Sequence, residues 1–178
     1  MKKALFISAS ILMIIILITG VIGIIGKGIP ETHSVTGSSF FNQSVDSIWN
    51  ALTDYESYPL WRDDLIKVDI LLGNEGNTSW IEYDKQGQNL IYQTVSEKKP
   101  EFLEIEILTT DIPFSGKWAI KVEAVRGGCN VTITETGSID SSILRFVMHK
   151  IYGIDSTVNS YLSAIKKRFK MEAEYENP

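Results

Sequence analysis

A run of apolar residues at three- and four-residue steps, Leu144, Val147, Ile151, Ile154, Val158, Tyr161, Leu162, Ile165 and Phe169, constrains this chain more than any other feature. Those steps keep one helical face apolar for about seven turns, and a face that long must be buried against another layer. Upstream, between Ile66 and Ile139, apolar and polar residues alternate in short segments punctuated by turn residues, which predicts a curved antiparallel sheet. A sheet wrapped around one long helix satisfies both patterns, and such an interior suits an apolar small molecule.

The chain of 178 residues allows one such domain plus an appendage, and the appendage comes first. Lys2 and Lys3 precede an uncharged run of 23 residues from Ala4 to Gly26, about 35 Å as a helix against a bilayer core of about 30 Å. A cleaved signal peptide is the competing reading, but its apolar region is usually about 7 to 15 residues and ends in an Ala-x-Ala type site. Here the run is longer and ends Gly23-Ile24-Ile25-Gly26-Lys27, so a retained single-pass anchor is expected over residues 1–27. No acceptor Cys follows for lipoprotein processing. Two lysines before the run and Lys27 after it place the N-terminus in the cytoplasm and the domain on the extracytoplasmic side.

Beyond residue 27 lie all 22 acidic residues but only 14 of the 17 basic ones, a net charge of −8, which argues against nucleic acid as a partner. The lone Cys129 has no partner for an internal disulfide, so stability must come from the core.

Residues 28–33 read as a linker, 34–172 as the domain and 173–178 as a flexible polar tail. A first strand is expected over Ser34–Phe41. A helix follows, with Ser44 as N-cap, Asp46 in its first turn and Val45, Ile48, Trp49 and Leu52 on one face. A second short helical piece falls between Tyr55 and Asp63, broken by Pro59. Six more strands are expected at Ile66–Leu72, Thr78–Asp84, Asn89–Glu97, Phe102–Asp111, Lys117–Ala124 and Asn130–Ser138. The intervening turns include Gly73-Asn74-Glu75-Gly76 and Arg126-Gly127-Gly128. Alternation turns Leu103, Ile105, Ile107, Trp118, Ile120, Val122, Val131 and Ile133 inward, and by the same parity Glu135, the one carboxylate among them.

Three stretches carry a family resemblance. They are Ser44 to Trp61, with Asp54-Tyr55 and Tyr58-Pro59-Leu60-Trp61; Pro113 to Trp118 followed by Val131 to Gly137; and Leu144-Arg145-Phe146 with Ile151 to Leu162. Together they resemble the SRPBCC superfamily, the START-like or polyketide-cyclase and lipid-transport type, over roughly residues 34 to 172. The resemblance implies the helix-grip fold, an α+β domain whose curved seven-stranded antiparallel sheet wraps a long C-terminal helix, with two small helices after strand 1. That superfamily includes lipid carriers, cyclases and hormone receptors, so it implies a ligand cavity more than an activity. Two departures stand out: Ser141-Ser142 where similar chains often carry Asn-Pro, and Gly153 inside the long helix, where a kink is expected.

The expected ligand site lies between the sheet's concave face and the final helix. Ile105, Ile107, Trp118, Ile120, Ile133 and Glu135 line it from the strands, and Val147, Ile151, Ile154 and Val158 from the helix. No catalytic constellation, cofactor motif or metal-ligand spacing occurs; His33, His149 and Cys129 read as isolated solvated residues. Lys166, Lys167, Arg168 and Lys170 read as a solvated face favoured by the helix C-terminus. The expected function is therefore a membrane-tethered binding module for a hydrophobic small molecule or lipid. The alternatives are a cyclase- or hydrolase-type enzyme using Glu135 and an interaction domain with a filled core. A void of roughly 300 Å³ or more between sheet and helix separates the first from the last.

Overall fold

The computed structural model describes residues 2–71 and 77–176, so the turn expected at residues 73–76 and the end of the preceding strand at Leu72 lie outside the described residues. Helix α1 (Lys2–Lys27) contains the one described segment long and apolar enough to cross a membrane, Ile7–Lys27, with mean hydropathy 2.7. Strand β1 (Thr32–Phe41) follows, then α2 (Val45–Thr53), a 3-10 turn (Tyr55–Ser57) and the single-turn α3 (Tyr58–Trp61). Ser44 caps α2 as its spacing predicts, its Oγ accepting from the Ser47 amide at 3.0 Å and meeting one of the donors that a helix start leaves unpaired.

Strands β2 (Leu65–Leu71), β3 (Ser79–Asp84), β4 (Asn89–Lys98), β5 (Phe102–Ile107), β6 (Phe114–Val125) and β7 (Gly128–Ile139) form a seven-stranded antiparallel sheet with β1, in the order β1-β7-β6-β5-β4-β3-β2. Among the described strands the non-sequential neighbours are β1 and β7, so the first strand pairs with the last. The β6–β7 hairpin turns at Arg126-Gly127, where Gly127 takes φ +85°. This hairpin is longer than its turn-rich start suggests. Phe114, Ser115 and Gly116 read as loop residues, yet they pair with Ile139, Ser138 and Gly137 because the opposite strand offers an uninterrupted ladder.

The long apolar stripe does not form one helix. It divides into α4 (Ser142–Val147), a π-helical turn (Met148–Tyr152), a break at Gly153 and α5 (Ser156–Glu176). Gly153 adopts φ +88°, which a side chain resists, so the expected kink is a full interruption. Only the later part of the stripe enters the core: Val158, Tyr161, Leu162 and Ile165 are buried under the sheet, whereas Ile151 is 64% exposed. At its other end α5 runs on to Glu176, past the residue 172 at which the polar tail suggested the domain would stop.

The core joins α2, α5 and the sheet through Ile48, Leu52, Leu103, Ile120, Val122, Val131, Ile133, Val158 and Ile165, all at 0 to 1% exposure. Each such aliphatic side chain contributes about 1.5 to 3 kcal/mol on leaving water, which is how the domain holds together without a disulfide. Cys129, expected in a solvated turn, is instead fully buried in β7, where burial raises its thiol pKa.

Candidate functional site

Alternation aims every second strand residue at the helices, but the concave face is not uniform. Across one half, Leu103, Ile120, Val122, Val131 and Ile133 are completely covered by α2 and α5. Along the same strands toward the other end, Ile107, Phe114, Gly116, Trp118 and Glu135 still point inward but are only half-buried. Two causes act together. Gly116 carries no side chain, and the break at Gly153 delays the covering helix until Ser156. A Cβ placed on Gly116 would meet only Ile107 Cδ1, at 3.5 Å, so this point of the face opens on space. Gly137 offers no such room, because a Cβ there would clash with the Ser115 carbonyl oxygen and stand 3.2 Å from Cε1 of His33.

Glu135 is the polar centre of this open half. Its Oε1 lies 3.1 Å from Nε2 of His33, which then donates, and its Oε2 accepts from the Thr157 hydroxyl at 2.6 Å. His33 was expected as a solvated linker residue. It belongs to β1, which begins at Thr32, and its side chain is 9% exposed because odd-numbered positions of that strand face inward. Its Nδ1 is buried with no hydrogen-bond partner among the described residues. His149, also expected to stand alone, is half-buried on the π-helical turn, and its pKa is lowered by burial and then by the neighbouring His33. The inward strand positions read from sequence offered Glu135 no polar partner. The fold supplies two, from β1 and α5, and so meets the condition under which a carboxylate tolerates an apolar cleft.

The other end of the grip is closed by a polar and aromatic plug. Arg62 Nη1 lies 2.9 Å from both carboxylate oxygens of Glu82, and Trp80 Nε1 donates to the same carboxylate at 3.0 Å. Burial pushes the Glu82 pKa up against the pull of Arg62, and Arg62 is held charged by Glu82 and Asp64 despite its own burial. Tyr55 stacks on Trp80 with centroids 3.8 Å apart, and the Arg62 guanidinium lies 5.4 and 5.5 Å from the rings of Tyr58 and Tyr161. The Tyr161 hydroxyl donates to that of Tyr58, which donates to the Leu52 carbonyl. Burial raises both phenol pKa values, so the two donate hydrogen bonds as neutral hydroxyls.

The structure therefore sorts the expected lining residues into groups. Ile107, Trp118 and Glu135 meet at the open half, with Ile105 at its border, 7% exposed. Ile120, Ile133 and Val158 are core with no exposed surface. Val147 and Ile154 are half-buried on either side of the break, and Ile151 faces outward. Two open grooves, about 580 Å³ beside Val45, Pro100 and Val122 and about 490 Å³ beside Trp61, Asn159 and Lys167, are not lined by Ile107, Trp118 or Glu135. The expected basic cluster sits in mid-helix rather than at a helix end: Lys167 pairs with Asp63, Arg168 with Glu172 and Lys170 with Glu174. Among the described residues no three His, Cys, Asp or Glu side chains are arranged to hold a metal ion. The sequence reading did not single out Arg62 and Glu82, although the alternation that turns Trp80 inward turns Glu82 with it.

This geometry is that of the START-like helix-grip class, a seven-stranded sheet gripping a C-terminal helix. Residues 42–157 match the model of the family described as polyketide cyclase / dehydrase and lipid transport, and the chain belongs to that family. Among curated proteins, none matches it in sequence. Solved structures of similar fold include a START superfamily protein from Mycobacterium smegmatis, at 15% identity over 78% of this chain and 98% of that one, with a TM-score of 0.60. The Zhui aromatase/cyclase from Streptomyces sp. R1128 is similar at 13% identity over 78% and 96%, with a TM-score of 0.58. The di-domain aromatase/cyclase StfQ from the steffimycin biosynthetic pathway gives 11%, 80% and 52%, with a TM-score of 0.64, so this chain spans about half of it. At these identities the likeness concerns the fold.

Proposed function

We propose that this protein is a membrane-tethered binding module holding a hydrophobic small molecule or lipid against the open half of the concave face. The observation that carries this reading is the free space over Gly116, beside half-buried Ile107, Phe114 and Trp118. An inward sheet face left partly uncovered is apolar surface in need of an occupant. Glu135, held by His33 and Thr157, supplies one fixed polar point at which a ligand hydroxyl or amine would be oriented. The family's description, which includes lipid transport, supports the ligand class. Helix α1 is the tether, and Lys2 and Lys3 on its N-terminal side keep that end in the cytoplasm, with the domain on the opposite side.

The test is purification of the full chain from native membranes in mild detergent, with co-purifying small molecules identified by mass spectrometry. Gly116→Leu adds a side chain where Cβ has room, filling the cleft without disturbing the packed half. An apolar molecule recovered from the wild type and lost from Gly116→Leu, with an unchanged unfolding midpoint, is the expected result. Equal recovery from both, or none from either, would sink the reading. A second reading, an enzyme of cyclase or hydrolase type, draws on the His33–Glu135 pair; conversion of the bound molecule by wild type and not by Glu135→Gln would establish it instead.

A further inference from the structure

The last turns of α1 are docked on the domain. Gly26 is buried so close to α4 that a Cβ there would fall 1.8 Å from the Ser142 carbonyl oxygen. One turn earlier, a Cβ on Gly23 would lie 3.8 Å from Ser142 Oγ and 4.0 Å from Ile143 Cγ1. Arg145, 4% exposed, fastens this contact. Its Nε donates to the Gly26 carbonyl at 3.2 Å, and its Nη1 donates to the Ile139 and Asp140 carbonyls at 2.8 and 3.2 Å and to Glu31 at 3.0 Å. A buried guanidinium thus satisfies one of the carbonyls left free at the end of α1 and ties it to the strand that feeds α4. The domain is held in one orientation against the helix rather than swinging on a linker.

Ile7–Lys27 as a helix is about 31 Å long and fills a hydrocarbon core of about 30 Å, so Gly23 to Lys27 stand at its edge. The segment packed against them, Ser142–Tyr152, then stands at the bilayer interface. Its solvent-facing surface is largely apolar. Ile143, Ile151 and Tyr152 are 42, 64 and 69% exposed. From Ser141 to Ile154 there is no acidic residue, while Lys150 is exposed, in a domain whose net charge is −8. Apolar side chains, an amphipathic tyrosine and a lysine able to reach headgroups are what an interfacial segment requires.

We propose that Ser142–Tyr152 is a membrane-binding element, with Ile143, Ile151 and Tyr152 inserted among the headgroups and upper acyl chains of the bilayer that α1 spans. This rests on the reading of α1 as a retained anchor. Because the segment leads through Gly153 into α5 at the open half of the sheet, it holds that half near the bilayer, and the ligand class narrows to amphiphiles resident in the membrane.

The test uses the full chain in vesicles of phosphatidylcholine containing a minority of phosphatidylglycerol. An environment-sensitive fluorophore is placed on Ile143→Cys, Ile151→Cys and Tyr152→Cys in turn. Leu60→Cys on α3, 74% exposed in the wild type, serves as the solvent control and Ile14→Cys as the embedded one, while native Cys129 is fully buried. The expected result is a blue shift at 143, 151 and 152 with about a twofold or greater loss of emission on adding lipids spin-labelled near the headgroup, and neither effect at 60. Blue-shifted emission at 14 with solvent-like emission at 151 and 152 would overturn the proposal while leaving the anchor intact. A blue shift at 151 and 152 that grows with protein density and resists lipid quenchers would assign the face to a second copy instead. Solvent-like emission at 14 would refute the anchor reading itself, and this inference with it.

Discussion

Arg62→Met is the perturbation whose outcome the structure specifies most closely. Arg62 and Glu82 have side-chain exposures of 14% and 6%, and after the substitution Glu82 would keep only the Trp80 indole as a donor. Removing one member of a buried pair costs about 3 to 5 kcal/mol, because the remaining charge is left unmatched. With one donor kept, the lower end, about 3 kcal/mol, is expected near neutral pH, a fall of roughly 6 to 12 °C in Tm for a chain of this size. The pH dependence has a definite sign. Glu82 already has a raised pKa through burial, and losing Arg62 raises it further above its unfolded value. The folded state then binds the proton more tightly than the unfolded one. Stability of the variant therefore increases as pH falls through the folded pKa, by up to about 1.4 kcal/mol per pH unit, until the unfolded carboxyl also protonates near pH 4.3. The assay is urea unfolding of the full chain in detergent, followed by tryptophan fluorescence at about pH 5 and about pH 8. Arg62→Met/Glu82→Met should recover most of the loss, since an apolar replacement of both partners leaves no charge unmatched. A loss under about 1 kcal/mol, or one of equal size at both pH values, would refute the view that this pair closes the grip.

Two further predictions concern the ends of the interrupted helix. Arg145→Met should cost about 2 to 4 kcal/mol by stripping donors from the Gly26, Ile139 and Asp140 carbonyls, and should raise the rate of proteolysis around residues 27–31; an unchanged cleavage rate would show that α1 is held by something else. Gly153→Ala forces a side chain to φ +88° and should lower the urea midpoint by the equivalent of about 1 to 3 kcal/mol; a neutral or stabilising result would mean that α4 and α5 can join into one helix.

Much of this architecture was legible in the order of residues because it depends on local periodicity. Strand alternation placed Ile105, Trp118, Ile120 and Ile133 on the inner face, and Ser44 marked the start of α2 through a contact spanning three residues. The break in the final helix was also foreshadowed, since Gly153 interrupts an otherwise helical pattern; its extent was not, because the same three- and four-residue steps continue across it. Periodicity says which face is apolar and is silent on whether the neighbouring layer reaches it, so Ile151 fits the stripe and is nevertheless exposed.

What only the tertiary structure decided are the partnerships of polar groups far apart in the chain. His33 meets Glu135 across 102 positions, and Arg145 reaches the Gly26 carbonyl across 119. Arg62, just past the end of α3, reaches Glu82 on β3 at one end of the sheet. A polar residue has no period to betray its direction when its partner lies on another element, and its burial is tolerated only once that partner is in place. The sequence by itself thus determined a curved sheet, a covering helix and an apolar run long enough to span a bilayer. The pairing of β1 with β7, the bare backbone at Gly116 and the start of α5 beyond Gly153 decided which half of the face was packed, which half stayed open and which carboxylate stood in it.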